Sequence, residues 1–405
     1  MAWWHELPAD EPFGLANLPY AVADFPDGAR VVARIADHAL DLARCAEHAG
    51  MESGAVWERP SLNAFLAEGP EAWAAARTWL QDTLRDQTYA DCVAPHLHPL
   101  DGLDLLLPLE VADYVDFYAS EHHATNVGEL FRPGQPALTP NWKHLPIGYH
   151  GRSGTVVVSG TDVVRPCGQR KGPNDPEPVF GPSVRLDIEC ELGFVVGGSS
   201  AIGEPIALDR AWEHIFGVVL LNDWSARDIQ AWEYAPLGPF LGKSFATSIS
   251  AWVVPMAALS AAHVPLPAQD PAPLPYLRGD AATGLDISCA VTWNDTLVST
   301  PPFAQMYWSP AQMLAHLSVN GASTRPGDLF GSGTISGPAK ETRGSFLELS
   351  WNGAEPVTLG DGSTRSFLQD GDTITLTATA PGPGGSVIGF GACTGTIRPA
   401  LTSSP

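Results

Sequence analysis

The sequence predicts a mainly β protein built as a small first domain followed by a larger one. Three observations carry this expectation. The chain has 405 residues, room for one large domain and a smaller companion. It holds 40 glycines and 37 prolines, spread as turn punctuation rather than gathered in a low-complexity tract. Its later part reads as short runs of strand length between those turns. At 44% apolar and 17% charged residues, the composition is that of a folded globule.

Taken in order, residues 1–27 are rich in proline and aromatic side chains and read as irregular chain laid over a surface. Residues 29–47 alternate as two strands turning near Asp37-His38. Ser61 stands where it could cap a short helix over 62–68. A longer helix follows over 71–85, with Trp73, Ala76, Trp79 and Leu80 at helical spacing. A loop around His96-Leu97-His98-Pro99 closes this small β-rich domain, expected to span 1–110. It holds no catalytic constellation, and His96 and His98 read as solvated loop histidines rather than metal ligands.

Residues 111–405 form the expected second domain. A strand over 113–118 places Asp116 and Tyr118 on one face. Residues 141–152 read as an aromatic loop holding Tyr149 and His150. The clearest strand is 184–196, with Val184, Leu186, Ile188, Cys190 and Leu192 on one side and Asp187, Glu189 and Glu191 on the other. Glu189 and Glu191 then lie ~6.6 Å apart, and taken alone they read as a solvated outer face.

The stretch 217–248 draws the most chemistry together. Gly217 to Leu221 reads as a buried strand interrupted at Asn222-Asp223. A helix over 224–234 follows, capped by Asp223 or Ser225, with Arg227, Gln230 and Tyr234 on one face. Pro236, Gly238, Pro239 and Gly242 force a loop ending at Lys243, one of only four lysines in the chain. From 249 to 402 the pattern is strands at 249–255, 285–293, 346–351, 372–380 and 385–396. The glycine-rich pieces 331–337 and 382–385 lack the GKS/T ending of a phosphate loop.

A net charge of −23 argues against nucleic acid as a partner and requires a locally positive pocket for any anionic substrate. No apolar run approaches the ~20 residues of a membrane span. The opening residues show no export signal, so the expected compartment is the cytoplasm. Six cysteines are scattered without CxxC spacing, which favours free thiols over a zinc site. Asp116, Glu189, Glu191 and Asp223, if pooled, cannot all stay ionised without a cation. Their hard oxygens favour Ca2+ or Mg2+, with Lys243 and Arg227 balancing the excess charge.

Several runs resemble the fumarylacetoacetase (fumarylacetoacetate hydrolase) family: DFYxSxxHATNVG (116–128), PNWxHLPIGYHGR (140–152), LDIECELGF (186–194), NDWSARDIQAWEYAPLGPFLGKSF (222–245), SVNG, RPGDL, SGTISG and LELSW. The likeness runs in one order from about residue 113 to the C-terminus and more weakly through the first domain. It implies an SH3-like N-terminal barrel (1–110) and a mixed β-roll catalytic domain (111–405) that forms a homodimer. It further implies hydrolysis of 4-fumarylacetoacetate to fumarate and acetoacetate, the last step of tyrosine breakdown. By the same resemblance Asp116, Glu189, Glu191 and Asp223 match calcium ligands, and Asp223, Lys243 and Thr247 match a neighbouring magnesium site. His123 matches the general base and Glu348 the carboxylate that orients it. Tyr118, Arg132, Tyr149, Gln230, Tyr234 and Thr334 fall on substrate-contacting positions. The residues suit that chemistry: a histidine titrates in the right range to deprotonate water, and Arg227, Gln230 and Lys243 can donate to an oxyanion. One departure is the adjacent His122, a second imidazole beside the base. The competing enzyme is a sibling that hydrolyses, decarboxylates or isomerises another acylpyruvate or diketo acid, and such siblings generally lack the long first domain. A catalytically silent metal-binding scaffold would need neither His123 nor Glu348.

Overall fold

The computed structural model of the chain describes residues 7–8, 10–49 and 52–401. It is mainly β, with 26% helix. The organising layer is a sheet in the order Gly148–His150, Tyr114–Phe117, Leu329–Gly331, Cys190–Val196, Ile215–Asp223, Thr247–Ile249, Val156–Val158. Leu329–Gly331 runs parallel to Tyr114–Phe117, and Thr247–Ile249 parallel to Val156–Val158. The other neighbours along that order are antiparallel. Every residue of Cys190–Val196 and Ile215–Asp223 is buried, as expected of strands covered on both faces.

What covers each face differs. Leu192, Phe194, Val218 and Leu220 join a core with Val291, Ile374 and Leu376 of a second sheet, ordered Thr296–Ser299, Ser288–Trp293, Thr373–Pro381, Cys393–Arg398, Val163–Val164. Tyr114, Val195, Val219, Leu221, Ile249 and Leu329 join another core with Tyr20, Val22, Val31, Phe65 and Leu80 from the first hundred residues. Those residues build a curled five-stranded antiparallel sheet, ordered Leu97–Pro99, His38–Asp41, Arg30–Ile35, Tyr20–Ala23, Leu105–Leu106. The contact is aromatic: Tyr20 and Phe65 lie 5.7 and 5.6 Å, centroid to centroid, from Phe216 of the central sheet. Tilted and edge-on ring pairs of this kind add about 0.5–1.5 kcal/mol each beyond the area they bury.

Local structure departs from the sequence expectation in several places. The irregular chain expected over 1–27 contains the buried strand Tyr20–Ala23, while residues 1–6 and 9 of that stretch lie outside the described residues. The two strands expected over 29–47 end at Asp41, whose carboxylate accepts from the Arg44 amide and caps a helix, Leu42–His48. The 62–68 helix is Asn63–Ala67 with Leu62, not Ser61, at the cap position and no side-chain cap bond. Leu97–Pro99, expected as loop, is an edge strand on His38–Asp41. The 184–196 strand breaks at Ile188-Glu189, because Leu186–Asp187 leaves to pair with Ser225–Ala226. That pairing also delays the 224–234 helix, which begins at Arg227 with no side-chain cap, leaving Asp223 as the last residue of a strand.

The expected strands 249–255, 285–293 and 385–396 are each split in two by a short irregular stretch, whereas 372–380 is one strand, Thr373–Pro381. The 346–351 strand is corrected to a helical turn, Phe346–Leu349, capped by Ser345. All six cysteines are free thiols. Among the described residues no helix is long and apolar enough to cross a membrane.

Candidate active site

The carboxylates gather because strand ends and register bring them together. Asp116 sits opposite Gly331 on one side and Tyr149 on the other, Glu191 opposite Leu221, and Asp223 opposite Thr247. Alternation along each strand puts Asp116, Glu191, Asp223 and Thr247 on the face that the N-terminal sheet covers further along. Glycine makes the room: a Cβ at Gly331 would stand 2.7 Å from Glu191 Oε2. Gly333, at φ +75°, turns so that its N–H donates to Glu191 Oε2 at 2.9 Å.

Oxygens of Asp116, Glu189, Glu191 and Asp223 lie within 4.8 Å of one another, and all four residues are buried. This overturns the solvated face expected for Glu189 and Glu191 taken alone; the strand is covered on both sides. Asp116 Oδ1, Glu191 Oε1 and Asp223 Oδ1 have no hydrogen-bond partner. A buried orphan acceptor costs about 1–3 kcal/mol, and more when charged. The donor set fits a hard divalent cation, since bonds of about 2.3–2.6 Å place opposite ligands at most about 5 Å apart. Without one, burial and the neighbouring carboxylates push Asp116 and Glu191 well above the usual carboxylate range. Burial likewise raises Asp223.

Glu189 behaves in the opposite way. Burial pushes its carboxyl up, but Lys243 and Arg227 outweigh that and hold it below the usual range. Lys243 Nζ pairs with Glu189 and Asp223 and donates to Ser225 Oγ at 3.0 Å. Arg227 Nη2 meets Glu189 Oε1 at 2.9 Å, and its Nη1 donates to Gln230 Oε1 at 3.3 Å. Despite burial, the surrounding carboxylates keep Lys243 and Arg227 charged by raising both above their ordinary values.

Beside the cluster stands an imidazole–carboxylate pair. His123 lies in the helix Glu121–Phe131, which Ser120 caps by accepting from the His123 amide at 3.2 Å. Its Nδ1 bonds Glu348 Oε2 at 2.6 Å, and its Nε2 lies 3.9 Å from Glu189 Oε1. Glu348 is fully buried and satisfied: Ser336 Oγ and Ser345 Oγ donate to Oε2 at 3.0 and 2.7 Å, and Asn126 Nδ2 donates to Oε1 at 2.8 Å. Burial works against its ionisation, yet His123 and these donors leave it below the ordinary carboxylate range. Asn126, Ser336 and Ser345 escaped sequence reasoning. Ser345-x-x-Glu348 has the spacing of a helix-capping signature and could have revealed the turn.

These groups border a cavity of about 650 Å³, lined also by Tyr118, Arg132, Tyr149, Tyr234 and Thr334. Tyr118 stands edge-on to His123, centroids 5.3 Å apart. Tyr149 donates to Asp223 Oδ2 at 3.4 Å, and Arg132 Nη2 to the Ala137 carbonyl at 2.5 Å. Thr334 Oγ1 is buried without a partner. Glu191, Asp223, Thr247 and Glu348 are buried behind the cavity wall. Tyr234, by contrast, stays 57% exposed at the rim.

Residues 113–398 match the family model described as fumarylacetoacetate (FAA) hydrolase C-terminal, and residues 16–108 match fumarylacetoacetase N-terminal. The chain is 47% identical over 417 residues to a human protein named fumarylacetoacetase, covering 98% of each. A plant relative of the same name, from Arabidopsis thaliana, is 44% identical with 97% of each covered. Among solved structures, a fumarylacetoacetate hydrolase from Exiguobacterium antarcticum superposes with a TM-score of 0.55 at 19% identity, covering 95% of this chain and all of that one. A maleylpyruvate hydrolase from Sphingobium superposes at 0.53 with 15% identity, covering 94% of this chain and 100% of its own. At such identities the likeness is one of fold.

Proposed function

The chain belongs to the fumarylacetoacetate hydrolase family, and on that premise we propose that its cavity hydrolyses the carbon–carbon bond of 4-fumarylacetoacetate to fumarate and acetoacetate, the last step of tyrosine and phenylalanine breakdown. The observation that carries the reading is a cluster of orphaned carboxylates next to a His–Glu pair, with Asp116 and His123 reaching one cavity. Near full-length identity of 44–47% to proteins named fumarylacetoacetase favours this substrate over those of the siblings.

Glu348 holds the His123 Nδ1 proton and leaves Nε2 free to take a proton from water. The resulting hydroxide adds to the carbonyl carbon of the fumaryl ketone. Arg227, Gln230 and Lys243 would donate to the oxyanion that forms. When the bond breaks, its electron pair leaves as the acetoacetate enolate, and that carbon takes the proton back from His123. Calcium or magnesium held by Asp116, Glu189, Glu191 and Asp223 would supply a Lewis acid toward the diketone oxygens. Thr247, buried in register with Asp223, offers a hydroxyl to a second ion. Lys243 does not: a charged ammonium has no lone pair, so its side chain acts as counter-charge.

Tyr118, Arg132, Tyr149, Gln230, Tyr234 and Thr334 bind the substrate, and the Thr334 hydroxyl has no hydrogen-bond partner within the chain. The domain boundary lies at 110/111, and the protein works as a cytoplasmic homodimer; exposed Tyr234, Leu237 and Phe240 beside the cavity support a second copy there. The test is loss of fumarylacetoacetate absorbance with purified, cation-loaded protein, with equal amounts of fumarate and acetoacetate appearing. Turnover of another acylpyruvate with none of fumarylacetoacetate would transfer the assignment to a sibling chemistry.

A further inference from the structure

Asp187 has no role in the mechanism, yet it is 0% exposed and its carboxylate accepts four hydrogen bonds, two on each oxygen. Oδ1 accepts from the backbone N–H of Ile188 at 2.8 Å and of Phe346 at 2.7 Å. Oδ2 accepts from the Leu347 N–H at 3.0 Å and from Arg227 Nε at 2.8 Å. The residue itself is pinned in the short pairing of Leu186–Asp187 with Ser225–Ala226, immediately before Arg227.

Those partners lead to both halves of the chemistry. Arg227 uses its other nitrogens on Glu189 and Gln230. Phe346 and Leu347 open the turn whose next residue, Glu348, holds His123. One carboxylate therefore ties together segments that meet only in the folded chain. We propose that Asp187 is a positioning residue, fixing the Arg227 guanidinium and the Glu348–His123 pair in one spatial relation. This rests on the catalytic roles proposed for Arg227 and the His–Glu pair.

An isosteric amide cannot substitute. The side chain introduced by Asp187→Asn has one acceptor oxygen and one NH2, so a donor would face either Arg227 Nε–H or a backbone N–H. The conflict is relieved by moving the guanidinium or the 346–349 turn, and a displacement of about 1 Å can cost ~100-fold in rate. A purely structural carboxylate would instead lower the folded fraction or the bound cation, leaving turnover per loaded site unchanged.

The experiment uses the full-length, cation-loaded protein. Asp187→Asn, Asp187→Glu, Glu348→Gln and Arg227→Gln are compared, with Asp187→Asn also placed in the Glu348→Gln and Arg227→Gln backgrounds. Measured are kcat and KM on fumarylacetoacetate, bound cation per chain and thermal unfolding. Asp187→Asn is expected to lower kcat ~10–100-fold with KM within ~3-fold and cation content unchanged, its effect shrinking in each background, as for residues acting as a unit. Asp187→Glu, which keeps the charge one methylene further out, should fall between. Wild-type kcat in folded, loaded Asp187→Asn overturns the proposal, as does a loss that persists undiminished in both backgrounds. If Asp187→Asn does not fold, wild-type kcat in Asp187→Glu overturns it. Unchanged kcat in Glu348→Gln with Asp187 intact would instead break the His–Glu assignment, and this proposal with it.

Discussion

Two groups of buried charge meet where His123 Nε2 lies 3.9 Å from Glu189 Oε1, and they are satisfied in different ways. Glu348 has its lone pairs taken up by His123, Asn126, Ser336 and Ser345, all from the chain itself. Asp116, Glu191 and Asp223 each keep a buried oxygen with no partner, and burial raises all three. The first group is complete as folded. The second leaves buried oxygens that a cation could take up, which the chain itself does not satisfy. Glu189 joins the two, held ionised by Lys243 and Arg227.

The sharpest way to break the comparison is to take the cation away. Exhaustive chelation should lower turnover of fumarylacetoacetate by at least ~100-fold and lower the melting temperature, because bound ion stabilises the fold by mass action. Unchanged activity and melting would show that the orphaned carboxylates need no ion. Removing only the second imidazole separates the neighbours: His122→Gln should be nearly silent in kcat, since His122 is half-buried on another side of the helix that carries buried His123. A dead His122→Gln would reverse the assignment of the base.

A smaller effect is expected at the cavity wall. Arg132→Ala should raise KM ~10-fold while kcat changes little, because carboxylate binding is common to ground and transition states. A loss confined to kcat would count against that role.

Smaller again is a pH effect in the metal-free protein. Asp116 and Glu191 have raised values in the fold, so between the ordinary range of about 4 and their raised values the folded chain binds more protons than the unfolded one. Its stability should therefore fall as pH rises through that window. The depressed Glu189 and Glu348 act in the other direction but lose their contribution only below about pH 4. Thermal melts of chelated and loaded protein from about pH 5 to about pH 8 check this: the chelated curve should fall relative to the loaded one, both sharing the rise toward neutral pH that burial of His96, His214, His263 and His316, which lowers their values, imposes. Parallel curves would contradict it.

Much of this was legible in the sequence where a pattern had one structural meaning. The 71–85 helix and the 372–380 strand announce themselves by period, and both stand. Glu189 and Glu191 misled because alternation reports two faces without saying that the fold covers both of them. Glu348 misled because LELSW alternates as a strand does, while its helical turn is only four residues long. Asp187 was indistinguishable from an outward strand residue, since its partners at 227, 346 and 347 are close only in space. The four carboxylates could be pooled from their sequence positions and His123 only through the resemblance; in the fold the carboxylates gather and His123 pairs with Glu348.

The most direct test of the division between the two groups is bound cation per chain alongside kcat, measured on wild type, His123→Gln and Asp116→Asn. His123→Gln should keep the wild-type cation content and lose at least ~100-fold in kcat, the contribution of a positioned base. Asp116→Asn should lose cation in proportion to activity. If His123→Gln shed its cation together with its activity, the two groups would be one, and their division into a self-sufficient pair and a cation-dependent cluster would be wrong.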